Sequence, residues 1–301
     1  MRLATVSQDG RRFAAVVAAA GTVHEIRGRT LEDLVSGGLP AALEAGRAAL
    51  AEGGVPLDGV RLELPYRPAS VRDFVTFEAH VEGVRRSVDG AVGVPEAWYD
   101  APTFYFTNPH ALFGPDEPIR RPATCRRLDF ELEVGVVVGR DGSDLAESEA
   151  AEAIFGYTIV NDWSARDLQS REMQVGLGPA KGKDFATSIG PWIVTADELA
   201  PYVDPRGFLD LDCRVSVNGS QVGRDRLSSM HWTFAQMIAY ASRDSLVRAG
   251  DLLASGTTGG GGCLAELWGR YGEDAPPPLE PGDEVRIDVE VLGTLAASVT
   301  A

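Results

Sequence analysis

The chain has 301 residues, with 44 Asp and Glu against 28 Lys and Arg, a formal net charge of −16. Its 44% hydrophobic and 24% charged residues describe a globular protein with a sizeable core, and the acidic excess argues against nucleic acid or an anionic membrane as a partner. Three scattered cysteines, Cys125, Cys213 and Cys263, make neither a CxxC pair nor a disulfide framework, and the apolar stretch 13–21 is too short to span a bilayer. A cytoplasmic location without a signal peptide is therefore expected.

Residues 2–26 alternate as a β-hairpin or meander, with turns at Asp9-Gly10 and Ala20-Gly21. Thr30 is placed to cap a helix from residue 31 to about 52, interrupted near Gly37, Gly38 and Pro40. A strand over 60–64 ends at Pro65. Residues 1–66 are thus expected to form a small N-terminal α+β domain, and residues 67–301 a larger one. The larger part opens with Asp73-Phe74-Val75 and a short helix over about 77–87. Strands are expected over 103–107, 129–139, 156–161, 192–195, 211–217, 251–255 and 284–292, with Asn218-Gly219 as a hairpin turn. Two further helices are expected, 147–155 closed by Gly156 and 233–248 closed by Gly250. Many strands, few crossover helices and 34 glycines predict a mainly β, mostly antiparallel architecture with α+β elements.

The segment Asp129-Phe-Glu-Leu-Glu-Val-Gly-Val-Val-Val-Gly139 carries the first chemical signal. Alternation puts Phe130, Leu132, Val134, Val136 and Val138 on one face and Glu131 and Glu133 on the other, about 7 Å apart. Such a pair is either a solvated polar face or two ligands for a hard divalent cation. Asp162 ends an apolar strand, where it could cap a short helix or supply a third carboxylate. Arg166 and Gln169, three apart, share a helical face. Only two lysines occur, Lys181 and Lys183, in a single Lys-Gly-Lys triplet. That suggests either that a compact ammonium is needed at one of them or that a bias against lysine left a survivor. The loop 176–185 is not a phosphate loop, because both its spacing and Asp184 break the GxxxxGK[ST] pattern. His80 on the early helix is either structural or a base, and the run 255–262 either cradles a carboxylate or is a plain loop.

Four segments in order, Leu128-Asp-Phe-Glu-Leu-Glu133, Phe155-Gly-Tyr through Asn161-Asp-Trp-Ser-Ala-Arg-Asp-Leu-Gln169, Gly178-Pro-Ala-Lys-Gly-Lys-Asp-Phe185 and Leu253-Ala-Ser-Gly-Thr257, resemble the fumarylacetoacetate hydrolase family. The resemblance runs from about residue 66 to 292. It implies a β-roll or mixed β-sandwich catalytic domain behind a small N-terminal domain, a homodimer, and a bound Mg²⁺, Mn²⁺ or Ca²⁺. By position it implies metal ligands at Glu131, Glu133, Asp162 and Asp73, a base at His80 and an orienting acid at Glu266. Arg166, Gln169 and Lys183 match donors to developing negative charge, Thr187 supports the metal site, and Thr257 matches a substrate contact. Val75 stands where the namesake enzyme has a substrate-contacting tyrosine, and Met173 stands at another such place, which implies a different or less polar acyl group.

The implied reaction is metal-dependent hydrolysis of a C–C bond in a β-diketone or 3-acylpyruvate-type oxo acid through a metal-stabilised enolate. Two alternatives stand beside it: a 2-oxo acid decarboxylase, hydratase or isomerase of the same superfamily, and a non-catalytic small-molecule binder. Decarboxylase-like members usually carry His-x-x-Glu in the early helix, whereas here Glu82 follows His80 by two residues.

Overall fold

Residues 1–88, 90–272 and 275–301 are described by a computed structural model. The alternating N-terminal run pairs with itself: β1 (Arg2–Gln8), β2 (Arg11–Val17) and β3 (Thr22–Glu25) form the antiparallel meander. Asp9 and Gly10 turn with φ of 50° and 78°, the positive values a tight hairpin needs. Thr30 caps α1 (Leu31–Ser36), accepting the Asp33 N–H while the Asp33 carboxylate accepts the Thr30 N–H. The chain breaks at Gly37 and Gly38 and restarts as α2 (Leu39–Leu50), followed by β4 (Val55–Pro56) and β5 (Arg61–Leu62).

The remaining elements are β6 (Val71–Phe74), α3 (Glu78–Val88), β7 (Phe104–Thr107), β8 (Leu112–Phe113), β9 (Ile119–Arg120), β10 (Leu128–Asp129), β11 (Leu132–Val138), α4 (Glu147–Glu152), β12 (Ile154–Asp162) and β13 (Ser164–Ala165). They continue with α5 (Arg166–Met173), β14 (Thr187–Thr195), α6 (Ala196–Leu199), β15 (Asp212–Val217), β16 (Ser220–Arg226), α7 (Phe234–Ser242), β17 (Leu252–Ala254), α8 (Leu264–Tyr271), β18 (Glu284–Val289) and β19 (Gly293–Thr300).

One large sheet runs β4-β3-β2-β1-β14-β12-β11-β17-β6-β7, with β5 joining β1 and β8 joining β14. A second runs β16-β15-β18-β19-β9. The two share a core in which Val134, Val136 and Ile159 meet Val285, Ile287 and Leu295. On the opposite face of the large sheet, Leu31, Leu34 and Ala42 of α1 and α2 pack over Leu3, Val16, Val160 and Ile193. The fold is therefore mainly β, layered, and antiparallel apart from the pairs β8·β14, β6·β17 and β9·β19. The boundary expected at residue 66 falls between β5 and β6, yet the sheet runs across it, because Arg2 and Leu3 pair with Val194 and Ile193.

Some expected elements differ. The strand over 129–139 breaks at Phe130 and Glu131, where the Phe130 N–H turns to Asp129 Oδ1 and the Glu131 N–H to Asn161 Oδ1. The first piece then pairs with β13 and the second with β12. The helix expected over 147–155 stops at Glu152, and Gly156 lies inside β12 rather than closing a helix. A Cβ there would meet the Val194 carbonyl oxygen at 2.4 Å, so the glycine serves a close strand crossing. The helix expected to begin at Thr233 is there, with Thr233 as its cap, but it ends at Ser242, ahead of Asp244 at φ 51°. Helix α8, which carries Glu266, had no expected counterpart; its cap is Cys263, outside the usual Ser, Thr, Asp and Asn set.

Candidate active site

Alternation in β6 sends Asp73 away from Arg72, whose guanidinium pairs with Asp251 at 2.8 Å. Strand β7 sets Tyr105 directly opposite Asp73. The Tyr105 hydroxyl lies 2.8 Å from Asp73 Oδ2 and 2.5 Å from Asp162 Oδ2, so one phenolic proton serves two carboxylates. Asp162 closes β12 opposite Thr187 of β14, both buried. Glu131, released by the strand break, and Glu133 of β11 complete a group of four buried carboxylates. The reading of Glu131 and Glu133 as a solvated face is therefore excluded.

Two buried cations hold this group. Lys183 Nζ donates to Glu131 Oε2 at 2.5 Å and to Asp162 Oδ2 at 2.7 Å. Arg166, the first residue of α5, donates through Nη2 to Glu131 Oε1 at 2.7 Å and through Nη1 to Gln169 Oε1 at 3.0 Å. Its Nε donates to Asp129 Oδ2 at 2.8 Å. Asp129 also accepts the N–H groups of Leu264 and Ala265 at 2.7 and 3.0 Å, tying the start of α8 to the same network. Lys181 lies outside, exposed and paired with Asp184.

The charges do not balance. Burial and then the neighbouring Asp162 push Asp73 well above the usual carboxylate range, and burial and then Asp73 do the same to Glu133. Burial also opposes ionisation of Glu131, but Lys183 and Arg166 outweigh it and hold that carboxyl below its ordinary value. Burial works against the Lys183 charge, and Asp162 with Glu131 outweigh it, raising its pKa.

Three buried oxygens, Asp73 Oδ1, Glu133 Oε2 and Asp162 Oδ1, have no hydrogen-bond partner among the described residues. Asp73, Glu131 and Glu133 each offer an oxygen within 4.8 Å of the other two. Convergent, unpartnered carboxylate oxygens without sulfur or imidazole fit a hard divalent cation such as Mg²⁺, Mn²⁺ or Ca²⁺. The residues present therefore fit the group that the resemblance implies.

A cleft of 370 Å³ opens over this floor, with Asp73, Glu131, Glu133, Arg166, Gln169, Lys183 and Thr257 along it. Thr257 Oγ1 donates to Glu133 Oε1 at 3.4 Å. Across the cleft, α3 presents His80, Val81, Val84 and Arg85, and Val75, Phe104 and the half-exposed Met173 complete an apolar wall. A larger hollow of 530 Å³ beside α4 and α7 contains none of these groups.

His80 is buried, and burial lowers its pKa to about 4, leaving a neutral imidazole at neutral pH. Its Nδ1 lies 3.7 Å from Cys263 Sγ. Glu266, expected to orient His80, sits off the cleft, and no hydrogen bond among the described residues joins the two. The Glu266 carboxylate is ion-paired with Arg270 of its own helix, and burial raises its pKa to about 7. The sequence reading assigned no role to Asp129 or Tyr105. Asp129 opens the Asp-Phe-Glu-Leu-Glu run, but Tyr105 is marked only by lying in a strand that proves to pair with Asp73.

The layered β fold and its buried acidic floor belong with a known class of enzymes. The family described as fumarylacetoacetate (FAA) hydrolase C-terminal matches residues 69–300, and the chain belongs to the fumarylacetoacetate hydrolase family. A Mycobacterium tuberculosis protein, Protein Rv2993c, is 37% identical over 198 residues, 66% of each chain. Fumarylacetoacetase of Mus musculus is 34% identical over 242 residues, 66% of this chain and 57% of the mouse protein. The matched part thus spans less than two thirds of these relatives' own lengths. The 2,4-didehydro-3-deoxy-L-rhamnonate hydrolase of Sphingomonas is 28% identical over 309 residues, covering 100% of this chain and 96% of that one. Among solved structures, the fumarylacetoacetate hydrolase of psychrophilic Exiguobacterium antarcticum superimposes with a TM-score of 0.74 at 27% identity. The 5-carboxymethyl-2-hydroxymuconate delta-isomerase of Mycobacterium smegmatis gives 0.72 at 28% identity, and both matches cover 100% of this chain and 99% of the other. Both hydrolases and isomerases are therefore among the relatives. No helix among the described residues is long and apolar enough to cross a membrane.

Proposed function

We propose that the protein is a divalent-metal-dependent hydrolase of a C–C bond in a β-diketone or 3-acylpyruvate-type acid. The observation that carries this reading is a single cleft with three unpartnered carboxylate oxygens beneath its floor and a neutral imidazole in its wall. Asp73, Glu131, Glu133 and Asp162 would hold the ion, which supplies Lewis acidity toward substrate carbonyl oxygens when bound. His80, being neutral, accepts a proton from the attacking water. Lys183 has three N–H bonds and uses two on Glu131 and Asp162, leaving one for negative charge that develops on the substrate. Arg166 holds the Gln169 carbonyl oxygen, which leaves the Gln169 NH₂ group free to donate.

The wall opposite suggests the rest of the substrate. Val75, Val81, Val84, Phe104 and Met173 suit an acyl arm of apolar carbons. Arg85 pairs with no carboxylate among the described residues and donates only to the Gly93 carbonyl, so it suits an acidic end on that arm.

The test is incubation with Mn²⁺ or Mg²⁺ and a panel of acylpyruvates, fumarylacetoacetate and oxaloacetate in ¹⁸O-labelled water. Two acids, one carrying label from the solvent, are expected, and His80→Ala should abolish their formation. Release of CO₂, or a single product that keeps all the carbons of the substrate (labelled if water has added, unlabelled if it has only rearranged), would replace this reading with the second one, a 2-oxo acid decarboxylase, hydratase or isomerase. One observation favours that alternative: among the described residues no carboxylate bonds His80, whereas a water-activating base generally has such a partner.

A further inference from the structure

We infer that Cys263 is the positioning residue of His80, its sulfur accepting the Nδ1 proton and leaving Nε2 free to accept one in the cleft. This rests on the reading of His80 as the base. A neutral imidazole carries its proton on one ring nitrogen, and the hydrogen bond made by one nitrogen decides what the other can do. Among the described residues the His80 ring has a single hydrogen-bonding neighbour, Cys263 Sγ, 3.7 Å from Nδ1, with both residues buried. That distance suits an N–H donor and a large sulfur acceptor.

The sulfur is held in place from the other side. Cys263 is the N-cap of α8, and its Sγ accepts the backbone N–H of Glu266 at 3.4 Å. The next two N–H groups, of Leu264 and Ala265, are bonded to Asp129. Moving the sulfur would mean unwinding the first turn of α8 and releasing the Asp129 contact that also holds Arg166. Glu266 is fixed elsewhere, by its pair with Arg270. Burial keeps the thiol protonated and the imidazole neutral, so two uncharged groups meet. A thiol is a weak donor, so leaving its S–H without an acceptor costs little, and the imidazole N–H, a stronger donor, gains more from the sulfur than the S–H would gain from the ring nitrogen. The N–H···S arrangement is therefore the favoured one. Unlike a carboxylate, this partner orients the ring without adding a negative charge beside a floor already overloaded with carboxylates.

The experiment is ¹⁵N-histidine NMR of the whole chain, in which only His24, His80, His110 and His231 contribute. His80→Gln identifies the His80 signals. The wild type is expected to show the proton on Nδ1, Cys263→Ala a mixture of both tautomers, and Cys263→Ser and Glu266→Gln the wild-type pattern. Cys263→Ala should also lower kcat about tenfold with KM within about twofold, and Cys263→Ser should restore it. A wild-type proton on Nε2, in the signals that His80→Gln assigns, would overturn the inference. A tautomer unchanged in Cys263→Ala or displaced in Glu266→Gln would do the same. If the tautomers behave as expected but no acylpyruvate is cleaved, Cys263 keeps its role and the hydrolase reading fails.

Discussion

Lys183 joins Glu131 to Asp162 through one ammonium, and all three groups are buried. Lys183→Met would leave Asp162 without its counter-charge in a low-dielectric site and Glu131 with Arg166 alone. We expect a loss of about 3–5 kcal/mol of unfolding free energy in the absence of metal, measured by urea denaturation. A loss below about 1 kcal/mol would mean that the carboxylates find water or protons instead. Arg85 differs, because among the described residues it is tied only to a carbonyl oxygen. Arg85→Gln is expected to raise KM about tenfold for acyl arms ending in a carboxylate and to leave neutral arms unaffected. An equal change for both would remove Arg85 from recognition. At this scale the lysine scarcity drew attention to Lys183, which lies buried against Glu131 and Asp162, and spacing separated Glu131 and Glu133 from their apolar neighbours. Tyr105 was invisible because its significance lies in a cross-strand partner 32 positions away.

Helices α3 and α8 hold His80 and Cys263 in contact range because small residues let their backbones meet. A Cβ on Gly83 would reach Glu266 Cγ at 2.5 Å, and one on Gly269 would reach the Gly83 carbonyl oxygen at 2.2 Å. The second obstacle is backbone, which cannot rotate away. Gly269→Ala should therefore force the helices apart, lowering stability by about 1–3 kcal/mol and reducing kcat as His80 leaves its position. Unchanged urea midpoints and rates would show that the helices can part without disturbing the site. The same helix pair carries a pH dependence. Folding raises the Glu266 pKa from 4.5 to about 7, so its stabilising contribution is fully present below about pH 4.5 and is lost as pH rises through about 7. Thermal melts should show a decline in stability over that window that is flattened in Glu266→Gln. A wild-type slope retained in the variant would assign it to other groups.

Over the whole molecule the large sheet is the frame that gathers the carboxylates. Asp73, Glu133 and Asp162 come from three strands of one sheet, while Glu131 and Lys183 reach in from a strand break and a turn. Their repulsion is a property of the assembled protein, so a divalent ion that neutralises it should stabilise the whole chain. Mn²⁺ at about a hundred times its Kd is expected to add about 2.7 kcal/mol, read as a rise in Tm that EDTA reverses. A Tm indifferent to Mn²⁺, Mg²⁺ and Ca²⁺ would count against both enzymatic readings. The N-terminal segment is also part of the frame, since β1 pairs with β14 and α1 and α2 cover the sheet's outer face.

Period-two alternation, Asp-Gly and Asn-Gly turns and the Thr30 and Thr233 caps are local signals, so strands, hairpins and most helix starts were legible without the fold. Local patterning also exposed Glu131, Glu133 and Asp162, because an acid inside or at the end of an apolar strand conflicts with its surroundings wherever the strand lies. Where elements end was decided elsewhere: Asn161 draws the Glu131 N–H out of the ladder, and the Val194 carbonyl leaves room only for Gly156. The partners of the buried polar groups were also set by three-dimensional packing, as with Tyr105 on Asp73, Asp129 on Arg166, and Cys263 rather than Glu266 on His80. Hydrogen bonds and desolvation depend on what packing brings within about 4 Å, and residues far apart in the chain meet there without any local pattern to announce them.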